Sequence, residues 1–136
     1  MPLTEREREL LRLLDEYLEY LRQHLDLDAT TLKAFGPVDA AVQRWLQLAI
    51  QCCLDLGDSL LAKLGEEEPS RYRDIFAALT RRKVIETPLA QQMEELAGFR
   101  NALAHAYADL SPVDTWRRLR DALPALTEFA ERMSEQ

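Results

Sequence analysis

The sequence predicts an all-α protein, an antiparallel bundle of four main helices with short additional turns. Three observations predict it. Apolar residues recur at three-and-four spacing through four long segments. Hydroxyl, acidic and proline start signals, together with glycine stops, punctuate those segments. No stretch alternates apolar and polar residues as a half-buried strand would, and no internal repeat or low-complexity tract interrupts the pattern.

Each element follows from its own residues. Thr4 and Glu7 form a Thr-x-x-Glu capping box that opens the first helix. Leu10, Leu14, Tyr17, Leu18, Leu21 and Leu25 then mark one buried face, with His24 at its edge as a packed or rim histidine. Asp28 is placed to cap a short helical turn through Phe35, which Gly36 and Pro37 end. A long helix over about 38–64 is apolar around most of its circumference. Its one polar stripe, Arg44, Gln47, Gln51, Asp55 and Asp58, reads as a solvent-facing strip in preference to one facing a site or partner. Gly65 stops that helix, and 66–69 make an acidic loop. Ser70 opens a shorter helix through about Leu79 that carries Tyr72, Ile75 and Phe76, and 80–86 connect it onward. Thr87-Pro88 starts the next helix, through Leu89, Met93, Leu96 and Phe99. Ser111-Pro112 repeats the signal before Val113, Trp116, Leu119, Leu123, Leu126 and Phe129.

The totals exclude several classes. A chain of 136 residues is expected to form one domain over 1–136, and 47% hydrophobic with 30% charged residues is an ordinary globular balance. No apolar run approaches the roughly 20 residues that span a bilayer, and the charged start from Glu5 to Glu9 is not followed by a signal segment. Cys52 and Cys53 are adjacent within a helical pattern and poorly placed to bridge one another. Buried thiols of this kind suit a reducing cytoplasm. The net charge of −7 argues against indiscriminate nucleic-acid binding. The charge is uneven, however: residues 1–68 hold seven basic and fourteen acidic side chains, while residues 69–136 hold ten of each. Within 71–83, Arg71, Arg73, Arg81, Arg82 and Lys83 face only Asp74, so this stretch is either a local RNA-binding region or a solvated face.

The chemistry concentrates in residues 99–107, Phe-Arg-Asn-Ala-Leu-Ala-His-Ala-Tyr. A helix that only packs has no need of a guanidinium, an amide, an imidazole and a phenol within eight residues. Arg100 supplies a permanent cation that can fork across two phosphate oxygens. His105 supplies an imidazole, the side-chain type suited to moving a proton at cellular pH. Asn101 and His105 fall one turn apart on the same side of a helix. The arc from Tyr107 through Arg100 and Asn101 to His105 spans about 160° on a regular helix. That is broad for one ligand on one helix and suits a groove between two helices, or a two-fold axis. The sequence offers no zinc-type His/Cys/carboxylate ligand set, since the two histidines, His24 and His105, cannot make one on their own.

The segment from Arg100 to Tyr107 fits Arg-x4-His-x-Tyr and resembles the signature of HEPN-domain ribonuclease toxins, in particular the HepT-like branch. The resemblance extends through Arg44-Trp-Leu-Gln-Leu-Ala-Ile-Gln, Leu54-Asp-Leu-Gly-Asp, Tyr72-Arg-Asp-Ile-Phe and Gly98-Phe-Arg-Asn, and covers roughly 38–132. Ala104 stands where a larger aliphatic residue is usual, a small departure. The resemblance implies a HEPN-type bundle that is homodimeric, and a metal-independent endoribonuclease without a cofactor. It implies the toxin of a toxin–antitoxin module, paired with an MntA-type nucleotidyltransferase antitoxin. Carried onto this chain, Arg100 would hold the scissile phosphate and Asn101 would orient phosphate or imidazole. His105 would serve as base or acid in attack by the ribose 2′-OH, leaving a 2′,3′-cyclic phosphate. Tyr107 would be the residue adenylylated by the antitoxin, placing negative phosphates beside Arg100 and excluding RNA.

Two other classes stand beside this reading. A noncatalytic subunit that docks a nucleotidyltransferase and holds a nucleotide or nucleic acid would bind without RNA turnover. A purely structural helical dimer would tolerate substitution of Arg100 and His105, with Arg100 paired to Glu95 or Asp109.

Overall fold

The structure, a computed structural model, describes residues 2–25, 36–72, 74–105 and 112–136. The turn expected over 28–35, Arg73 and the 106–111 segment lie outside the described residues. Five helices and no strand are present among the described residues: α1 (Glu5–Arg22), α2 (Pro37–Lys63), α3 (Asp74–Arg81), α4 (Thr87–His105) and α5 (Pro112–Ser134). Four are long and α3 is short, as the periodicity predicts. α2 is the spine of the bundle and packs against all four others. One continuous core draws on every helix, with Leu14, Ile50, Phe76, Met93 and Phe129 fully buried within it. Phe76 meets Phe129 edge to face at 5.8 Å, an arrangement aromatic quadrupoles favour.

The antiparallel pairing of α1 and α2 is fixed at both ends. Tyr20 and His24 at the end of α1 pack on Trp45 near the start of α2, at 5.3 and 5.0 Å between ring centroids. The His24 Nδ1 lies 2.8 Å from the Tyr20 carbonyl, so this imidazole is the rim histidine expected of it. At the opposite end the capping box forms as predicted, with the Glu7 N–H donating to Thr4 Oγ1 at 3.1 Å and the Thr4 N–H to Glu7 Oε1 at 2.8 Å. Glu7 then reaches across to α2. Its carboxylate is 1% exposed and accepts from Ser59 Oγ at 2.8 Å and from Lys63 Nζ at 2.7 Å. Burial alone would raise its pKa, but the hydrogen bonds from Lys63, the Thr4 N–H and Ser59 prevail and hold it below the ordinary value.

Three boundaries differ from the sequence expectation. Pro37 opens α2 at its first position, after Gly36 in extended conformation, where the missing N–H costs nothing. α3 begins at Asp74, four residues after Ser70, because Asp74 and Ile75 donate to the carbonyls of Arg71 and Tyr72 in three-residue turns. Tyr72 is therefore left outside the helix and exposed. Thr87 is already helical, one residue before the expected start. α2 and α3 end alike. Glu66 N–H donates to Leu61 and Val84 N–H to Leu79, both at 3.0 Å, each over a left-handed residue. That residue is Gly65 (φ +79°) after α2 but Lys83 (φ +61°) after α3.

Candidate active site

α4 carries the motif at its C-terminal end, with Arg100, Asn101 and His105 in its last two turns. Leu89, Met93, Leu96 and Leu103 hold one side of this helix on the core. Asn101 and His105 are exposed on the other side, one turn apart as the spacing predicts. Arg100 falls on the arc shared with the buried leucines, at the end where the core runs out, and is half-buried. Its Nε is buried and has no hydrogen-bond partner. Its Nη1 donates to Asn101 Oδ1 at 3.1 Å, and its Cζ lies 5.4 Å from the centroid of the Tyr72 ring. No carboxylate among the described residues comes within ion-pair distance of it, Glu95 included. A partly buried guanidinium normally has an anion beside it. Among the described residues this one meets no anion, and it lies next to an exposed amide and an exposed imidazole. The arrangement suits an external anion such as a phosphate.

Tyr107 lies outside the described residues, as does Arg73. The remaining basic candidates do not form one patch. Arg71 is exposed beside Tyr72, at the motif end of the molecule. Arg81, the last residue of α3, and Lys83, just past it, are exposed at the far end of that helix. Arg82 closes the α2–α3 connection, donating to the Leu64 carbonyl at 3.2 Å and lying 3.6 Å from the Glu66 carboxylate. The polar stripe of α2 is exposed at Arg44 and Asp58 and half-buried between them. There Gln51 Nε2 donates to Asp55 Oδ1 at 2.9 Å, while Gln51 Oε1 is buried and unpartnered. No group of three His, Cys, Asp or Glu side chains able to hold a metal occurs among the described residues. Burial lifts the Cys52 thiol to about 11, and that of Cys53 well above its ordinary value, which leaves both unreactive at neutral pH.

Two features beside the motif escaped the sequence reading. Tyr72 entered it only as a helical residue and as part of a family-like block. Arg117, Arg118 and Arg120 form a basic run on α5 that the residue order alone displays. Arg118 lies over the Phe99 ring at 5.1 Å, and with Arg117 it lines a groove of about 450 Å³ between α4 and α5, together with Phe99, Ala102, Asp114 and Asp121. A larger surface hollow, about 770 Å³ along residues 5–13 of α1, contains no motif residue.

Residues 14–133 match the family described as ribonuclease HepT-like. The chain belongs to this HepT-like family. It is 26% identical over 113 residues to the tRNA nuclease HepT of Aphanizomenon flos-aquae, covering 83% of this chain and 77% of that protein. Its fold is that of a tri-AMPylated HEPN toxin from Shewanella oneidensis, solved in complex with its MNT antitoxin. That likeness has a TM-score of 0.87 at 18% identity, over 98% of this chain and all of the other. YutE of Bacillus subtilis, described as a cytosolic protein of unknown function, shares the fold with a TM-score of 0.77 at 21% identity, over 99% of this HepT-like chain and 92% of YutE. No helix among the described residues is long and apolar enough to cross a membrane.

Proposed function

We propose that this chain is a metal-independent endoribonuclease, the toxin of a toxin–antitoxin pair whose antitoxin is a nucleotidyltransferase. The observation that carries the reading is the Arg100 guanidinium, without a carboxylate partner among the described residues and set on Tyr72 and Asn101, with His105 one turn beyond Asn101. Membership of the HepT-like family supports RNA as the substrate, and the cyanobacterial relative's name points to tRNA within that class.

In this reading Arg100 binds the non-bridging oxygens of the scissile phosphate and offsets the charge that grows on them during attack. Asn101 keeps the guanidinium turned toward the phosphate. His105 removes the 2′-OH proton, or delivers one to the departing 5′-oxygen, as phosphorus passes to a 2′,3′-cyclic phosphate. Every one of these steps is proton transfer or charge stabilisation, for which side chains suffice. The motif helix meets its copy in a homodimer. Its outer face carries Gly98, where an added Cβ meets nothing in this chain within 4 Å. Adenylylation of Tyr107 by the antitoxin silences the site, as AMPylation of the Shewanella toxin suggests.

The test is RNA cleavage in excess EDTA, with protein produced without its partner and a His105→Ala control. Cleavage to 2′,3′-cyclic ends by the wild type, and none by a control of unchanged helicity, is the expected result. Equal activity in the control refutes the assignment. For the silencing step, co-expression with the antitoxin adds mass in adenylyl increments, and their persistence in Tyr107→Phe rules that site out.

A further inference from the structure

Tyr72 is assigned no step in the reaction proposed above, yet its ring, from outside the motif helix, lies against Arg100. It is 54% exposed, one of three large hydrophobic residues among those described that are left open to solvent, so core packing does not explain an aromatic ring there. It stands just before α3, on a turn closed by the Arg71 and Tyr72 carbonyls rather than within a helix. The Arg100 guanidinium lies over the ring, 5.4 Å from its centroid. Arg100 also lacks any partner for its buried Nε and any carboxylate among the described residues, and of these residues the Tyr72 ring and Asn101 are the ones that direct it. A cation over one part of an aromatic ring leaves the rest of that ring available, and here more than half the residue is open. Arg71, exposed and adjacent, adds a positive charge at the same edge.

We infer that Tyr72 is a base-stacking and positioning residue. One of the two nucleobases flanking the scissile phosphate packs on the open part of its ring while the phosphate sits on Arg100. RNA-binding proteins that read unpaired nucleotides commonly stack splayed bases on tyrosine and set a cation for the adjoining phosphate. The same ring that aims the guanidinium then also fixes the sugar–phosphate it acts on, which couples substrate placement to Arg100 geometry. A single-stranded or unpaired site is implied, because a base stacked within a duplex offers no free face. This inference rests on the ribonuclease reading, and the experiment separates the two.

After the cleaved position has been mapped with the wild type, two single-stranded RNA dodecamers spanning it carry 2-aminopurine on one side of the cut or the other. Binding is followed by fluorescence in a His105→Ala background, where no cleavage occurs. One of the two probes changes its fluorescence on binding. Tyr72→Leu in that background abolishes the change and weakens binding on the order of tenfold or more, whereas Tyr72→Phe preserves both. In the active background Tyr72→Leu raises KM and lowers kcat, and its penalty disappears on an RNA that is abasic at the reporting position. A structural role does not produce that abasic rescue. Tyr72 is exposed, so the leucine variant keeps its helicity and melting temperature. If Tyr72→Leu matches its parent in affinity and fluorescence with both probes, this inference is overturned while cleavage by the wild type stands. If the wild type cleaves no RNA, the ribonuclease reading fails and takes this one with it.

Discussion

The two mid-helix glycines, Gly57 in α2 and Gly98 in α4, should respond to the same substitution with opposite signs. In an exposed helix interior, alanine is favoured over glycine by about 0.8–1.0 kcal/mol, because glycine loses more backbone entropy on folding. Gly98 is exposed and an added Cβ has nothing within 4 Å, so Gly98→Ala gains about that amount in the isolated chain. At Gly57 the same Cβ meets Ile75 Cγ2 at 2.6 Å and Leu79 Cδ1 at 3.2 Å, with Phe129 Cζ at 4.0 Å. Ile75 is β-branched and helical, so its Cγ2 cannot swing away without leaving its one preferred rotamer. Overpacking of a closed core costs about 1–3 kcal/mol, and a contact this short against a stiff group falls in the upper part of that range. Subtracting the propensity gain leaves Gly57→Ala less stable than wild type by about 1–2 kcal/mol. The two variants should thus lie about 2–3 kcal/mol apart, or on the order of 1 M in urea midpoint at an m-value near 2 kcal/mol/M. Urea melts followed by circular dichroism at low protein concentration measure this directly. Gly57→Ala found as stable as Gly98→Ala would show that α2 and α3 do not approach as closely as described.

Glu7 links the α1 cap to α2, and its depressed pKa makes that link a stability term present above the ordinary value of 4.5 and lost as pH falls through the folded-state pKa. Glu7→Gln should destabilise by about 1–3 kcal/mol at pH 7 and flatten the loss of stability on acidification below pH 4.5; a variant with the wild-type acid profile would contradict this. Lys83 occupies the left-handed position that glycine fills after α2, so Lys83→Gly should raise stability by about 0.5–1 kcal/mol in the same melts, and a loss would refute the strain argument. If Arg100 grips phosphate with its fork, Arg100→Lys keeps the charge but loses the paired donors, and kcat should fall about 100-fold; near-normal turnover would mean that charge alone suffices.

Much of the fold was legible because helices are local objects. The Thr4–Glu7 box and the leucine stripe of α1 depend on residues three and four apart, and both form as read. The failures share a cause as well. Ser70 looks like a helix start, but the chain leaving α2 turns through Arg71 and Tyr72 before α3 can begin, and no local preference encodes that. The family-like residues of α4 were visible as a motif, whereas the ring beneath Arg100 comes from a turn 28 positions earlier in the sequence.

By itself, then, the sequence determined an all-helical bundle and the chemistry available at the end of one helix: a cation, an amide and an imidazole at fixed angular spacing. Those follow from 3.6-residue periodicity and side-chain type, which need no knowledge of distant residues. Only the tertiary structure decided what surrounds them. It buried Glu7 against Ser59 and Lys63, spent Arg82 on the α2–α3 connection, and set Arg100 on Tyr72 with no carboxylate beside it among the described residues. Whether a charge is compensated depends on which remote groups packing brings within a few ångströms, and electrostatic interaction falls steeply with that distance.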